Sequence, residues 1–380
     1  MKFTCVVLLA LGCFGAIARG AESLWDVSAL EQTPSATWGV RQGLAQEVFY
    51  AGEPLQGHAT RVFAYYARPA EGRGPFPAVV LVHGGGGKAF KEWAELWARR
   101  GYVALAMDLA GCGPDGPLPD GISQGQDDAM KTREFTPGEI RDMWTYQAVA
   151  AVIRGHSLLR AQAEVDPQRI AITGISWGGY LTCIVAAIDH RFKAAVPVYG
   201  CGFLDEDSVW MNRFTVGRSP EQRKLWIENF DPSRYLSRVQ CPMLFVDGTN
   251  DPAYPMDSLR KSYELVKTPV TLAVEIERPH SHIWTFREVD TFIDSVLLHS
   301  KPLAALGPVR VEGNEVFASL SATEPVTRAE LDYTTDLGPW PKRHWQRQPA
   351  TVTAGKISAT LPPVRPTRWP RWTTSCAAAR

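Results

Sequence analysis

Six continuous apolar runs, at residues 78–83, 103–108, 170–175, 194–199, 243–248 and 270–277, alternate with amphipathic stretches, and this alternation restricts the fold more than any other feature. An apolar run with no polar residue at every second place is a strand buried on both faces. The stretches at 90–100, 137–159, 178–188, 256–266 and 284–298 carry apolar residues at helical spacing. Strand, helix and strand repeated in this way predict an α/β fold: a mostly parallel sheet with helices on both faces. Two earlier runs, 45–50 and 60–66, separated by Gly52, Pro54 and Gly57, predict an antiparallel start. Sheets of this kind bind ligands beyond the carboxyl ends of their strands, so the residues following each run are where chemistry is expected.

Composition narrows the partners. The chain of 380 residues has 40 Lys plus Arg against 40 Asp plus Glu and is 45% hydrophobic, which provides a core and leaves no net charge. No local basic stripe compensates, so nucleic acid is not an expected partner. At the start, Lys2 precedes an apolar run at 3–17, and Ala18, Arg19 and Gly20 precede Ala21. That layout predicts a secretory signal over 1–20 and a secreted or periplasmic protein. The run falls short of the roughly 20 residues that span a bilayer, so no stable membrane insertion is expected. Of the seven cysteines, Cys5 and Cys13 lie in the leader. Cys112, Cys183, Cys201, Cys241 and Cys376 have no paired spacing, which predicts neither a disulfide framework nor a zinc site.

The strongest local signal is Gly174, Ile175, Ser176, Trp177, Gly178 and Gly179, placed directly between an apolar strand and the helix that follows it. A nucleophile on so sharp a turn needs neighbours without side chains, so that strand and helix approach closely. The helix then points its first amides toward developing negative charge. A second signal is His83 followed by Gly84, Gly85, Gly86 and Gly87. The uncovered amides of Gly85 and Gly86 are expected to complete an oxyanion hole with the Trp177 amide. His83 reads as a support for this loop. Lys88 is followed by Ala89, so the run lacks the ending of a phosphate-binding loop.

The acid and the base should follow Ser176 in the chain. Asp251 lies just beyond the strand at 243–248, whereas its rival Asp247 is still on the strand. His280 and His282 both follow the next strand. His282 is expected to be the base, because it stands at the turn into the last helix, and His280 to support the loop. The resulting Ser176, Asp251 and His282 triad requires no metal and no cofactor.

Gly174 to Gly179, the His83 to Gly87 run, Asp108 to Gly111, Gly248 to Asp251 and the closing histidines together resemble the α/β-hydrolase superfamily. More narrowly, Arg141 to Trp144, Gly174 to Tyr180, Phe192 to Phe203 and His280 to His282 resemble secreted bacterial hydrolases of the acetyl xylan esterase and prolyl-oligopeptidase-like group. The resemblance spans about residues 45–300. It implies the α/β-hydrolase fold and hydrolysis of carboxylic esters, through an acyl-enzyme on Ser176. A small-molecule or carbohydrate ester is then the expected substrate; the oligomeric state is left open.

The remaining chain divides around this core. A catalytic domain is expected over 21–300, with an excursion at 200–242 that caps the site. Thirteen tryptophans raise the question of an aromatic pocket. Trp210, Phe214, Trp226 and Phe230 of the cap are expected mainly to pack it onto the sheet, with sugar stacking as the rival role. Trp93 and Trp97 read as core, the loop at 110–119 as a pocket rim, and Cys112 as a structural thiol. Short runs at 309–311, 316–320, 328–333 and 351–361 predict a small β-sandwich-like domain over 301–361. The stretch 362–380, rich in Pro and Arg, cannot continue a central strand and reads as a shifted frame or a truncation. Two other functions stay in view. One is a serine exopeptidase, disfavoured because no propeller repeats precede residue 66. The other is a binding protein on an inactive hydrolase core.

Overall fold

The computed structural model describes residues 24–123 and 127–362; the expected signal and the stretch from 363 onward lie outside the described residues. The main sheet has nine strands: β1 Ala36–Gln42, β2 Ala45–Ala51, β3 Arg61–Ala67, β4 Phe76–Val82, β5 Val103–Met107, β6 Val165–Ile175, β7 Ala194–Val198, β8 Met243–Gly248 and β9 Val270–Glu275. Their order across the sheet is β1-β2-β3-β5-β4-β6-β7-β8-β9. β1, β2 and β3 run antiparallel, as does β3 against β5, and every pair from β5 to β9 is parallel. All residues of β5, β7 and β8 are buried, odd and even positions alike, which requires cover on both faces.

Register aligns the carboxyl ends. Val82 of β4 lies opposite Gly174 of β6, Ile175 opposite Val198 of β7, Val198 opposite Val246 of β8, and Gly248 opposite Glu275 of β9. The segments that leave these strands therefore emerge along one edge of the sheet.

The longer helices are α1 Lys91–Arg99, α2 Trp144–Arg160, α3 Trp177–Ile188, α4 Pro220–Phe230, α5 Met256–Leu265 and α6 Arg287–Leu297. Glu92 in the first turn of α1 and Arg99 in its last complement the helix dipole, and its apolar side buries Trp93 and Trp97. α3 is buried along its whole length, the environment of a central helix with cover all round. Two helices differ from their sequence pattern. Residues 137–159 do not form one helix: a 3-10 turn at Pro137–Asp142, closed by a Thr136 and Glu139 capping box, ends at Met143, whose extended backbone (ψ 140°) turns the chain before α2. The last helix starts at Arg287 rather than 284, because Phe286 is extended. β1 escaped the pattern altogether, since all its residues after Ala36 are exposed and none marks a core face.

After α6 come β10 Ala305–Leu306, β11 Arg310–Glu312, β12 Glu315–Ser321, β13 Ala329–Tyr333, β14 Gln346–Thr353 and β15 Lys356–Thr360. They form a C-terminal antiparallel β domain. Pairing runs in the order β10-β12-β15-β14-β13, with β11 also on β12; β14 pairs with β13 through Gln346–Ala350 and with β15 through Thr351–Thr353. Its own small core gathers Val316, Leu331 and Leu361. Among the described residues no helix is long and apolar enough to cross a membrane.

Candidate active site

Ser176 stands between the end of β6 and the start of α3 with φ 58° and ψ −122°, a strained conformation for a residue with a side chain. Its amide donates to Val198 O at 2.8 Å, which ties the turn to β7. A Cβ on Gly174 would stand 2.3 Å from Gly178 O, and one on Gly178 would stand 2.1 Å from Val82 O. The glycines are thus needed for the close approach of α3 to β4 and β6.

A single imidazole bridges Ser176 and Asp251, and it belongs to His280. Its Nε2 lies 2.8 Å from Ser176 Oγ and its Nδ1 2.6 Å from Asp251 Oδ2. Asp251 is buried, and its Oδ1 accepts from the amides of Ala253 at 2.8 Å and Tyr254 at 2.9 Å, so both oxygens have fixed partners. The Tyr199 hydroxyl donates to Pro279 O at 2.9 Å, and its ring lies 4.9 Å from that of His280, which seats the loop before the imidazole.

The expectation of His282 as the partner of Ser176 is therefore corrected. Because α6 begins only at Arg287, His282 is not at a helix turn but in the middle of an extended loop. Its ring rests on Phe90 with centroids 5.4 Å apart, and its Nε2 lies 3.1 Å from where a Cβ on Gly84 would be. Burial, helped by the neighbouring His280, lowers its affinity for a proton. Asp247, the rival acid, is fully buried beside Asp251, while the His280 Nδ1 bond is accepted by Asp251; burial and the Asp251 charge push the Asp247 carboxyl well above the usual range.

His83 has the supporting role expected of it. Its Nδ1 donates to Gly84 O at 2.7 Å, and its Nε2 accepts from the Leu109 amide at 2.8 Å, a pattern that fits the neutral ring. Burial lowers its pKa to about 4. Gly85 and Gly86 line a cavity of about 510 Å³ together with Ser176, Trp177, His280, Asp127, Asp128, Trp210 and Ala253. A Cβ on Gly85 would stand 2.9 Å from Trp177 Cδ1, so the loop lies against the residue after the nucleophile. Gly86 has φ +69°.

The cap aromatics divide. Phe214 and Trp226 pack at 4.6 Å, and Phe230 packs at 5.5 Å on Phe135 from outside the cap, all of them buried. Only Trp210 of the four reaches the cavity with Ser176. The loop at 110–119 is not its rim: a two-stranded ribbon, Cys112–Gly113 with Gly116–Pro117, lines a separate cavity with Leu55 and His58. Cys112 is no activated thiol, since burial and the Asp108 charge raise its pKa. Asp127, Asp128 and Ala253 had no sequence signal, because they are far from Ser176 in the chain and share its cavity only in the fold.

A second His–Asp pair, His156 Nδ1 and Asp189 Oδ2 at 2.8 Å, is wholly buried, with Phe192 stacked on the imidazole at 3.8 Å. Both residues are fully buried and Arg191 also holds Asp189, so the pair is part of the core. The acid loop also meets the C-terminal domain: Asn250 Nδ2 donates to Pro341 O at 3.3 Å and to Arg343 O at 2.7 Å.

Strand order, the turn bearing Ser176 and the loops after β8 and β9 define the architecture. The chain has the α/β-hydrolase fold. The acetyl xylan esterase family matches residues 42–206, and the prolyl oligopeptidase family matches residues 131–290. An acetyl xylan esterase from Paenibacillus sp. R4 superposes with a TM-score of 0.59 at 24% identity, over 71% of this chain and 92% of that one. Among curated proteins, acetyl esterase Axe7A of Xylanibacter ruminicola is 23% identical over 60% of this chain and 54% of its own. The uncharacterized peptidase YuxL of Bacillus subtilis is 26% identical over 59% of this chain and 33% of its own. The chain thus spans between a third and about half the length of these two relatives.

Proposed function

We propose that this α/β-hydrolase is a serine hydrolase of short-chain carboxylic esters, with acetyl esters of carbohydrates as its best substrates. The observation that carries the reading is the continuous relay from Ser176 Oγ through His280 to Asp251, opening onto a cavity bounded by the glycine loop. In the acylation step, His280 Nε2 takes the proton of the Ser176 hydroxyl as Oγ bonds to the ester carbonyl carbon. Asp251 holds the imidazole with its Nδ1 protonated and stabilises the imidazolium that forms. The Trp177 amide and the Gly85 and Gly86 amides receive the oxyanion. The carbonyl re-forms as the bond to the alcohol oxygen breaks, and the alcohol leaves with the proton from His280. Water, deprotonated by the same imidazole, then releases the acid and restores Ser176.

The similarity to acetyl xylan esterases supports the acetyl ester, and the glycine loop supports short acyl groups because it offers no side-chain bulk to grip a long chain. The prolyl oligopeptidase match over 131–290 favours a second reading, release of an amino-terminal residue from a peptide. The expected export of the chain would place either activity outside the cytoplasm.

One panel separates these readings. The kcat/KM for p-nitrophenyl acetate should exceed that for butyrate and then octanoate, and aminoacyl p-nitroanilides should be poor substrates. Ser176→Ala and His280→Ala should each lose at least about a thousandfold in kcat, whereas His282→Ala should retain most of the turnover. Faster anilide than ester turnover would select the peptidase, and an octanoate preference would exclude the short-acyl site. A dead His282→Ala beside an active His280→Ala would overturn the assignment of the base.

A further inference from the structure

The short helix Asp128–Lys131 precedes α2 and faces the nucleophile turn. Both carboxylate oxygens of Asp128 accept indole N–H groups, Oδ1 from Trp177 Nε1 at 3.0 Å and Oδ2 from Trp210 Nε1 at 2.7 Å. One of these tryptophans follows the nucleophile; the other comes from the cap. Their rings lie 4.6 Å apart with planes tilted by 54°, and Asp128, Trp177 and Trp210 all line the cavity that holds Ser176 and His280. Beneath them the buried Lys131 places its ammonium over the faces of Trp144 at 4.9 Å and Trp177 at 5.1 Å, and 3.8 Å from Asp128 Oδ1. Asp127 does not duplicate Asp128, because its Oδ1 accepts from the Met130 amide at 2.8 Å.

A buried indole N–H needs an acceptor, and a carboxylate is a stronger one than a neutral oxygen. With both N–H groups on one carboxylate, neither ring can turn without leaving a bond unmade. We infer that Asp128 is a positioning residue that sets acyl-chain preference, by clamping Trp210 of the cap against Trp177 as the wall of the cavity beside Ser176. This rests on the ester hydrolase reading. The clamp joins an element that reacts to one that only covers, so the cap is held to the nucleophile turn itself. Without it, Trp210 would turn its N–H toward water and the wall would open to longer acyl groups.

The test uses the full chain with Asp128→Asn, Asp128→Ala and Trp210→Phe. An amide at 128 offers one acceptor oxygen, so one indole loses its partner; alanine releases both. The ratio of kcat/KM for p-nitrophenyl butyrate to that for acetate should rise by roughly fivefold or more in Asp128→Ala and by less in Asp128→Asn. Trp210→Phe keeps a ring but has no N–H, and should raise the ratio even if the alanine variant fails to fold. Nitrogen-15 spectra of the indole groups should show the Trp177 and Trp210 N–H signals moving in Asp128→Asn, a readout independent of turnover. An unchanged ratio in Trp210→Phe and Asp128→Asn, with Ser176 still labelled by a fluorophosphonate, would overturn the clamp and leave the hydrolase reading standing. A wild-type protein that neither labels at Ser176 nor hydrolyses any ester would instead sink the hydrolase reading, and acyl preference with it.

Discussion

His83, at the foot of the glycine loop, has no room for a proton: one nitrogen donates to Gly84 O, the other accepts from the Leu109 amide, and burial lowers its pKa to about 4. In the unfolded chain a histidine titrates near 6.5. Acidification through the window from about 6.5 to 4 therefore protonates the unfolded state first, and His83 withdraws up to about 3 kcal/mol of stability over that window. Asp108 acts in the opposite sense, because burial raises its pKa to about 6 and its folded form gains a proton earlier than the unfolded one. The two partly cancel in the wild type, so the informative quantity is a difference. In urea titrations, the stability of His83→Gln relative to wild type should improve by about 2 to 3 kcal/mol between pH 7 and pH 4. An equal difference at both pH values would mean that His83 is not held neutral. The role of His83 was legible from its place before four glycines, and Ser176 from its turn. The choice between His280 and His282 was not, because it depends on where α6 begins and on the Tyr199 hydroxyl holding Pro279 O.

The turn at Ser176 shows at the scale of elements why Gly178, in the first turn of α3, and Gly86, in the glycine loop, carry different penalties. A Cβ on Gly178 would stand 2.1 Å from the carbonyl oxygen of Val82, with other backbone atoms close behind, so Gly178→Ala must push α3 off β4. Gly86→Ala meets nothing within 4 Å and pays only for φ +69°. Thermal or urea unfolding should show Gly178→Ala losing roughly 2 to 4 kcal/mol and Gly86→Ala about 1 kcal/mol. Equal losses would contradict the packing of α3 against β4. The buried strands β4 to β8 were legible because a strand covered on both faces must be apolar throughout. β1 was not, since an edge strand open to water has no pattern to read. The cap could be recognised by its length, but which of its rings faces Ser176 depends on contacts between residues far apart in sequence.

At the scale of the whole molecule, the C-terminal domain reaches the site through Asn250, the residue before the buried acid. Its side chain donates to Pro341 O and Arg343 O, and Trp340 packs against the main core. Removing these bonds should loosen the loop that carries Asp251 while leaving the cavity walls in place. Asn250→Ala is accordingly expected to lower kcat on p-nitrophenyl acetate by roughly three- to tenfold with little change in KM. A change in KM alone would place the effect in substrate binding and refute the buttress. β11, β12 and β13 were legible from their turn signals, whereas the run expected at 351–361 is the end of β14, a turn and β15, and β10 was not read; the run 338–345, which touches Asn250, has no periodicity that would mark it as part of the active edge.

That contact also orders events during synthesis. Ser176, Asp251 and His280 have all left the ribosome before Pro341 and Arg343 are made, so the nascent chain holds every reacting group while the acid loop still lacks its two carbonyl anchors. On the ester hydrolase reading, full activity is expected only once Pro341 and Arg343 have joined Asn250.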